Sequence, residues 1–493
     1  MKLEHLPQHD VLHVISDIHM GGEDGFQILR ETGRLEQYVR RLAVEQPQAD
    51  VALVLNGDVF DSLAERHGDG YVAVASAQAV LARIMQDAAF APVWDALAQF
   101  AQTARRTLVF VIGNHDIEIA LPAVQWLVVQ RLTGGDVASR ARVVFSTTGA
   151  GYACRVGDAR VYCIHGNEVD AWNFNRYEDL ARLGRRLNAG KEFDGAQWAA
   201  NAGTQLVRDV MNEVKSSYPW IDLLKPETSA AIGTLLAIEP KLARKIAGLG
   251  GVAGALAAGE AQKDERLSLE SFAGMAPRNP IGRPDSWIGP HARASASSET
   301  LVRDMLLEAE RSLSEGAPAS PDATLGLGQL LVDRLTGWMR GIDKPEALRR
   351  ALLDWLRGDR TFELDERDDT CRDVMDSVGF GVDIVVTGHT HLARALALDD
   401  GRLYLNSGTW IRLMQFTPAM LADEASFKSV YPLLLRRPMV DLDHATFDGS
   451  PLVLDRTTEV EILVDNGRTV ARLNQIRGDG RKAPAEPLKQ LSR

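Results

Sequence analysis

Five times along this chain a short apolar run breaks off into a cluster of Asp, Asn or His. Residues 12–15 lead into Ser16-Asp17-Ile18-His19, residues 51–55 into Asn56-Gly57-Asp58, and residues 108–112 into Gly113-Asn114-His115-Asp116. Residues 160–164 end at His165-Gly166, and residues 383–387 at Gly388-His389-Thr390-His391. Apolar runs of this length bounded by turn residues read as buried strands, and the apolar residues of 35–44 and 94–104 between them recur at helical spacing. Strands that alternate with helices predict an α/β fold built on a sheet. In such a sheet the loops at the carboxyl ends of neighbouring strands converge on one crevice, which brings residues far apart in sequence together.

The rest of the chain divides by pattern. Residues 151–155 and 160–164 read as two strands joined at Gly157-Asp158, and residues 460–464 and 469–473 as a hairpin turning on Asp465-Asn466-Gly467. From about residue 175 the alternation stops. Leu206, Val210 and Val214, then Leu327, Leu331, Leu335 and Trp338, then Leu348, Leu352 and Trp355, form stripes at helical spacing. Stretches 275–298 and 316–323, rich in Pro, Gly, Ser and Ala, read as linkers. The expected organisation is a core in two parts, 1–175 and 369–477, interrupted by a helical insertion at 176–368 and followed by a flexible tail at 478–493.

At 493 residues the chain has room for more than one domain, at about 100–200 residues each. With 45% hydrophobic and 25% charged residues it has the proportions of a globular protein rather than a disordered or fibrous one. The formal net charge of -12 argues against a protein whose main task is to coat nucleic acid. Residues 176–367 hold 26 Lys/Arg and 28 Asp/Glu, so the acidic surplus lies on the strand-rich segments that carry the clusters, which suits a cation site. No apolar stretch approaches the ~20 residues of a membrane span, the start lacks the long apolar region of a secretory signal, and an odd count of 3 cysteines favours a reducing, cytoplasmic setting.

Five of the 11 histidines (His19, His115, His165, His389 and His391) stand in these clusters beside Asp17, Asp58, Asp61, Asn114 and Asp116. A mixed His and carboxylate set suits borderline divalent ions such as Mn, Fe or Zn better than the all-oxygen preference of Mg or Ca. Seven ligands with one bridging carboxylate suffice for two metals about 4 Å apart, the arrangement used in phosphoester hydrolysis. Taken singly, each cluster is ordinary strand capping or turn chemistry.

As an ordered set, Asp17-Ile18-His19, Gly57-Asp58-Val59-Phe60-Asp61, Gly113-Asn114-His115-Asp116, His165 and Gly388-His389-Thr390-His391 resemble the calcineurin-like metallophosphoesterase family. The resemblance implies a β-sandwich flanked by helices and a hydrolase of phosphodiester, pyrophosphate or phosphomonoester bonds with a metal-bridging hydroxide as nucleophile. It implies two divalent cations, manganese first and iron or zinc as alternatives. Asp17, His19 and His391 would hold one, Asn114, His165 and His389 the other, with Asp58 as the bridge. His115 would contact the scissile phosphate and protonate the leaving oxygen, oriented by Asp61. The substrate expected is a phosphorylated small molecule or nucleotide; the oligomeric state stays open.

The insertion is positioned to act as a cap. UDP-diacylglucosamine pyrophosphatases of lipid A synthesis carry a helical cap at the same place but usually have Arg where His115 stands and Asp where Asn167 stands. A non-catalytic scaffold on the same fold is the other alternative. Trp198, Trp220, Trp287, Trp338 and Trp355 in the insertion read as core. The Gly/Ala run at 248–259 reads first as a close-packed helix, then as a hinge, then as a shallow peripheral membrane contact. Cys163 reads as buried packing, whereas Asp170 and Asn173 read equally as contacts supporting the site and as surface loop. Residues 406–410 border the site at similar odds.

Overall fold

The computed structural model describes residues 5–65, 74–170, 173–192, 200–215, 217–225, 234, 343–356, 360–436 and 438–492. The chain forms two compact units. One comprises Met1–Thr204, Arg360–Leu413 and Val453–Arg493, the other Gln205–Asp359 and Met414–Leu452.

The first unit is a sandwich of two sheets. Its strands are β1 (Gln8–His9), β2 (Val11–Ile15), β3 (Val51–Asn56), β4 (Arg106–Val111), β5 (Val143–Ser146), β6 (Tyr152–Val156), β7 (Ala159–Cys163), β8 (Ile384–Thr387), β9 (Arg394–Ala397), β10 (Leu403–Asn406), β11 (Thr458–Asp465), β12 (Arg468–Ile476) and β13 (Lys482–Ser492). The larger sheet runs β13-β12-β11-β2-β3-β4-β5 and the smaller one β1-β6-β7-β8-β10-β9. Because successive side chains on a strand point to opposite faces, each central strand of the larger sheet serves two cores. Leu12, Val14, Ala52, Val54, Val109 and Val111 pack with Cys154, Val161, Cys163, Val386 and Leu405 between the sheets. Val11, Ile15, Leu53, Leu55, Leu108 and Phe110 face outward and are covered by helices α1 (Thr32–Val44), α2 (Val74–Gln86), α3 (Ala91–Gln102) and α4 (Pro122–Thr133). Strands buried on both faces explain the unbroken apolar runs in the sequence.

β2, β3 and β4 pair in parallel, as do β7, β8 and β10. Their carboxyl ends therefore release every polar cluster on the same edge of the sandwich. The two sheets are tied there: the Asn56 side chain donates to the carbonyl of Ile164 at 3.0 Å, and His389 N–H donates to Asp17 Oδ2 at 3.0 Å. At the other end, β11 and β12 turn with Asn466 at φ 50° and Gly467 at φ 76°, the left-handed pair that a two-residue hairpin requires.

Residues 482–492, expected as part of a flexible tail, instead form β13 against β12. Pro484 and Pro487 lie in this strand, the edge of its sheet, which is where prolines are tolerated in a ladder. Lys482 Nζ also lies 2.7 Å from Glu461 Oε1. Glu461 belongs to a buried polar layer with Glu459, His13, Tyr38 and Asn474. The three acidic and imidazole groups of this layer could hold a cation by spacing alone. The Lys482 ammonium and the Asn474 amide already meet both carboxylates, so the layer is a satisfied network.

The expected domain boundaries shift. Residues 176–204, including the helix Tyr177–Asn188 (α5), and residues 360–368 belong to the sandwich unit, while 414–452 belong to the second unit and not to the core. In the second unit α6 (Lys344–Trp355) buries Leu348 and Leu352, as its stripe predicts. It is held by Arg349 donating to the carbonyl of Leu421 at 2.9 Å, ahead of α8 (Glu424–Leu434); α7 (Asp369–Ser377) belongs to the sandwich. Trp220 is fully buried against the Phe416 ring, a core role. The stripe through Leu206, Val210 and Val214 is not one helix: Ala202–Leu206 and Asn212–Lys215 are separated by a π-helical turn, Val207–Met211. The stripe at 327–338, both linkers, the Gly/Ala run, and Trp198, Trp287 and Trp338 lie outside the described residues. Among the described residues no helix is long and apolar enough to cross a membrane.

Candidate metal centre

The loops that leave the sandwich edge are held in unusual backbone conformations. Nine described non-glycine residues have positive φ, and five of them are Asp17, His19, Asp58, His389 and His391. Each such residue costs about 1–3 kcal/mol and persists only where the surroundings impose it. Backbone hydrogen bonds impose it here: Ile18 and His19 N–H both donate to the carbonyl of Asp58 at 2.9 Å, and His389 N–H donates to Asp17 Oδ2 at 3.0 Å. Gly113 and Gly388 serve the same packing, since a Cβ at Gly113 would fall on the Asp58 carboxylate and one at Gly388 on Ser16 and Asp17.

The side chains these loops present converge. His391 Nε2 lies 3.5 Å from Asp17 Oδ1, and the His391 and His19 rings stack with centroids 5.1 Å apart. His19 Nε2 is 3.7 Å from Asp58 Oδ2, and the same oxygen is 3.2 Å from His165 Nε2. Asp58 therefore stands between two groups, Asp17, His19 and His391 on one side and His165 on the other. Ligand atoms of the first three lie within 4.8 Å of one another, as do those of Asp17, Asp58 and His165. The His389 ring meets the His165 ring edge-on at 5.4 Å, and its Nε2 is 2.8 Å from Asp170 Oδ2.

Several of these atoms are buried without a hydrogen bond: Asp17 Oδ1, both ring nitrogens of His19, Asn114 Oδ1 and His165 Nε2. A buried polar atom left this way costs about 1–3 kcal/mol. Five such atoms gathered from three loops form a set of donors that divalent cations would satisfy, and their mixed oxygen and imidazole character fits borderline metals. The supporting contacts fix the rings. His165 Nδ1 meets the carbonyl of Asn56 at 2.7 Å, and His391 Nδ1 meets Thr409 Oγ1 at 3.2 Å, leaving Nε2 of each to face the cluster.

His115 stands apart from the ligand set but touches it. Its ring meets His19 edge-on at 4.7 Å, its Nδ1 is 3.1 Å from Asp61 Oδ1, and its N–H donates to Asp58 Oδ1 at 2.9 Å. Burial pushes the Asp58 carboxyl up, but the His165, His115 and His19 rings outweigh it and hold the group well below the carboxylate range. Burial likewise works against ionised Asp61, and the hydrogen bond to His115 together with the nearby His19 ring, 3.8 Å away, prevails and holds the carboxyl well below the usual carboxylate range. Burial would depress the His165 ring, yet Asp58 and Asp17 raise it to about 10, so the cluster calls for positive charge.

All nine residues expected from the sequence thus gather at one edge. Asp116 supports them from behind, accepting from Val59 and Gly113 N–H at 2.7 and 2.8 Å. Cys163 is buried in the inter-sheet core, as packing predicts. Ser16 and Asn56 stand in the sequence only as parts of their clusters, with no role of their own, and Thr409 falls in the stretch 406–410 expected to border the site. A polar residue ending an otherwise fully apolar strand, as Asn56 does, is the signal that finds such a group.

Residues 11–212 match the family model described as calcineurin-like phosphoesterase. The chain carries a calcineurin-like phosphoesterase domain. No curated protein matches it. The matched segment of this domain includes Asp17, His19, Asp58, Asp61, Asn114, His115 and His165, whereas His389 and His391 join it from beyond, through β8. Such a domain is in general a metal-dependent hydrolase of phosphoesters, which implies phosphorylated substrates.

Proposed function

We propose that this protein is a dinuclear phosphoesterase. Asp17, His19 and His391 hold one divalent cation, and Asn114, His165 and His389 hold the other, with Asp58 shared. Manganese is the first choice of metal, with iron or zinc as alternatives for the same donor set. The observation that carries this reading is the gathering of buried, unbonded donor atoms on Asp17, His19, Asn114 and His165. Bound there, the cations would lower the pKa of water and offset charge on the phosphoryl oxygens.

The chain's own residues do the rest. Asp61 accepts the Nδ1 proton of His115 and so supports the ring protonated on both nitrogens, the form whose Nε2–H can be given to the leaving oxygen and which is left as neutral imidazole with its proton on Nδ1. The N–H of His115 holds the Asp58 carboxylate in place. A non-catalytic scaffold has no use for a carboxylate-oriented imidazole beside the ligand set, and this pair favours the hydrolase. The substrate proposed is a phosphorylated small molecule or nucleotide carrying a phosphodiester, pyrophosphate or phosphomonoester. Cys154, Cys163 and Cys371 are free and buried, which suits a reducing, cytoplasmic setting. Metal analysis combined with turnover of bis(p-nitrophenyl) phosphate tests the proposal: metal-dependent turnover is expected, and a metal-loaded protein inert toward phosphodiesters, pyrophosphates and phosphomonoesters would overturn it.

A further inference from the structure

His389 differs from the other imidazoles of the centre in how its ring is held. His165 and His391 each turn Nδ1 toward a backbone carbonyl or a hydroxyl and present Nε2 to the cluster. His389 does the reverse. Its Nε2 meets a carboxylate, Asp170 Oδ2, at 2.8 Å, and the ring is only 11% exposed. A carboxylate only accepts, so the Nε2 proton is directed at Asp170 and the lone pair falls on Nδ1.

Asp170 is itself held. The Asn173 side-chain amide donates to the same Asp170 oxygen at 2.7 Å, and the Asn167 amide donates to the carbonyl of Asn173 at 3.0 Å. Asp170 N–H donates to the carbonyl of Asn167 at 3.2 Å, and Gly166 N–H donates to Glu168 at 2.8 Å. These bonds hold Asp170, whose carboxylate reaches a histidine that follows a different strand. We propose that Asp170 is a positioning residue for His389: it sets the tautomer that presents Nδ1 to the metal and links the loop of one ligand, His165, to the ring of another. The inference rests on the reading of His389 as a ligand. A carboxylate behind a metal-bound imidazole fixes its orientation and raises its basicity, and removing such a partner typically costs about 10–100-fold in metal affinity or activity.

The test is titration of the metal-free full-length protein with Co²⁺ alone, followed by calorimetry and by the visible absorption of the bound ion. The wild type is expected to bind two ions, and His389→Ala one with high affinity. Asp170→Ala should still bind two, the second about 10–100-fold more weakly and with an altered absorption band. Asp170→Asn, which keeps an oxygen able to accept from Nε2, should recover most of that loss; its melting temperature without metal guards against a folding defect in the alanine variant. An Asp170→Ala titration and spectrum equal to wild type, or an equal loss at both sites, would overturn the positioning role while leaving His389 a ligand. Two ions bound with wild-type affinity by His389→Ala would instead remove His389 from the ligand set, and the role of Asp170 with it.

Discussion

Gly113 and Gly33 show how differently one residue type is constrained at the site and away from it. A side chain at Gly113 would fall on the Asp58 carboxylate, whereas one at Gly33 in α1 would meet nothing within 4 Å. Gly113→Ala should therefore lose metal and activity together, and Gly33→Ala should raise stability by about 0.4–1 kcal/mol in denaturant unfolding. His115→Ala separates chemistry from binding: both metals should remain while turnover falls by about 10²–10⁴-fold, and loss of metal at the outset would make His115 a ligand. Burial pushes the Cys154 and Cys371 thiols up to about 12 and holds Cys163 well above the usual thiol range, so almost no thiolate exists at pH 8. Iodoacetamide should label none of the three in the native protein and all three in denaturant. The nine candidate residues could be singled out because each lies in a compact motif close behind a strand end. The separate role of Asn56, the His391 partner of Thr409 and the His389 partner of Asp170 could not, because one polar residue in a loop does not reveal which distant group it meets.

β13 carries the clearest element-level difference between expectation and structure. Expected as a flexible tail, it is a strand held by pairing with β12 and by Lys482 meeting Glu461, neither of which leaves a hydrophobic pattern. Lys482→Met would leave the buried Glu461 carboxylate with the more distant Arg472, 3.8 Å away, as its cation. A loss of about 1–3 kcal/mol is expected by denaturant unfolding, while a disordered tail would show no change. The strands β2, β3 and β4 were readable for the opposite reason: both their faces are buried, so their apolar runs are continuous. The stripe at 206–214 had the right period for one helix, but periodicity does not register the inserted residue of a π-helical turn.

At the scale of the whole molecule, the division of the chain follows contacts that sequence order conceals. Residues 414–452 lie after the last of the five polar clusters yet belong with 205–359, where α8 packs on α6. The five clusters obey the same logic in reverse: parallel strands in two sheets deliver loops separated by hundreds of residues to a single edge. Filling that edge with cations should stabilise the sandwich unit, by about 2.7 kcal/mol at a hundredfold excess over Kd, and a chelator should lower the melting temperature accordingly. The most direct measurement is metal content and bis(p-nitrophenyl) phosphate turnover for the wild type beside Asp58→Ala. Two divalent ions per chain with turnover in the wild type, and loss of both metal and turnover in the variant, are expected. Full occupancy and normal turnover in Asp58→Ala would contradict a centre built around a shared carboxylate.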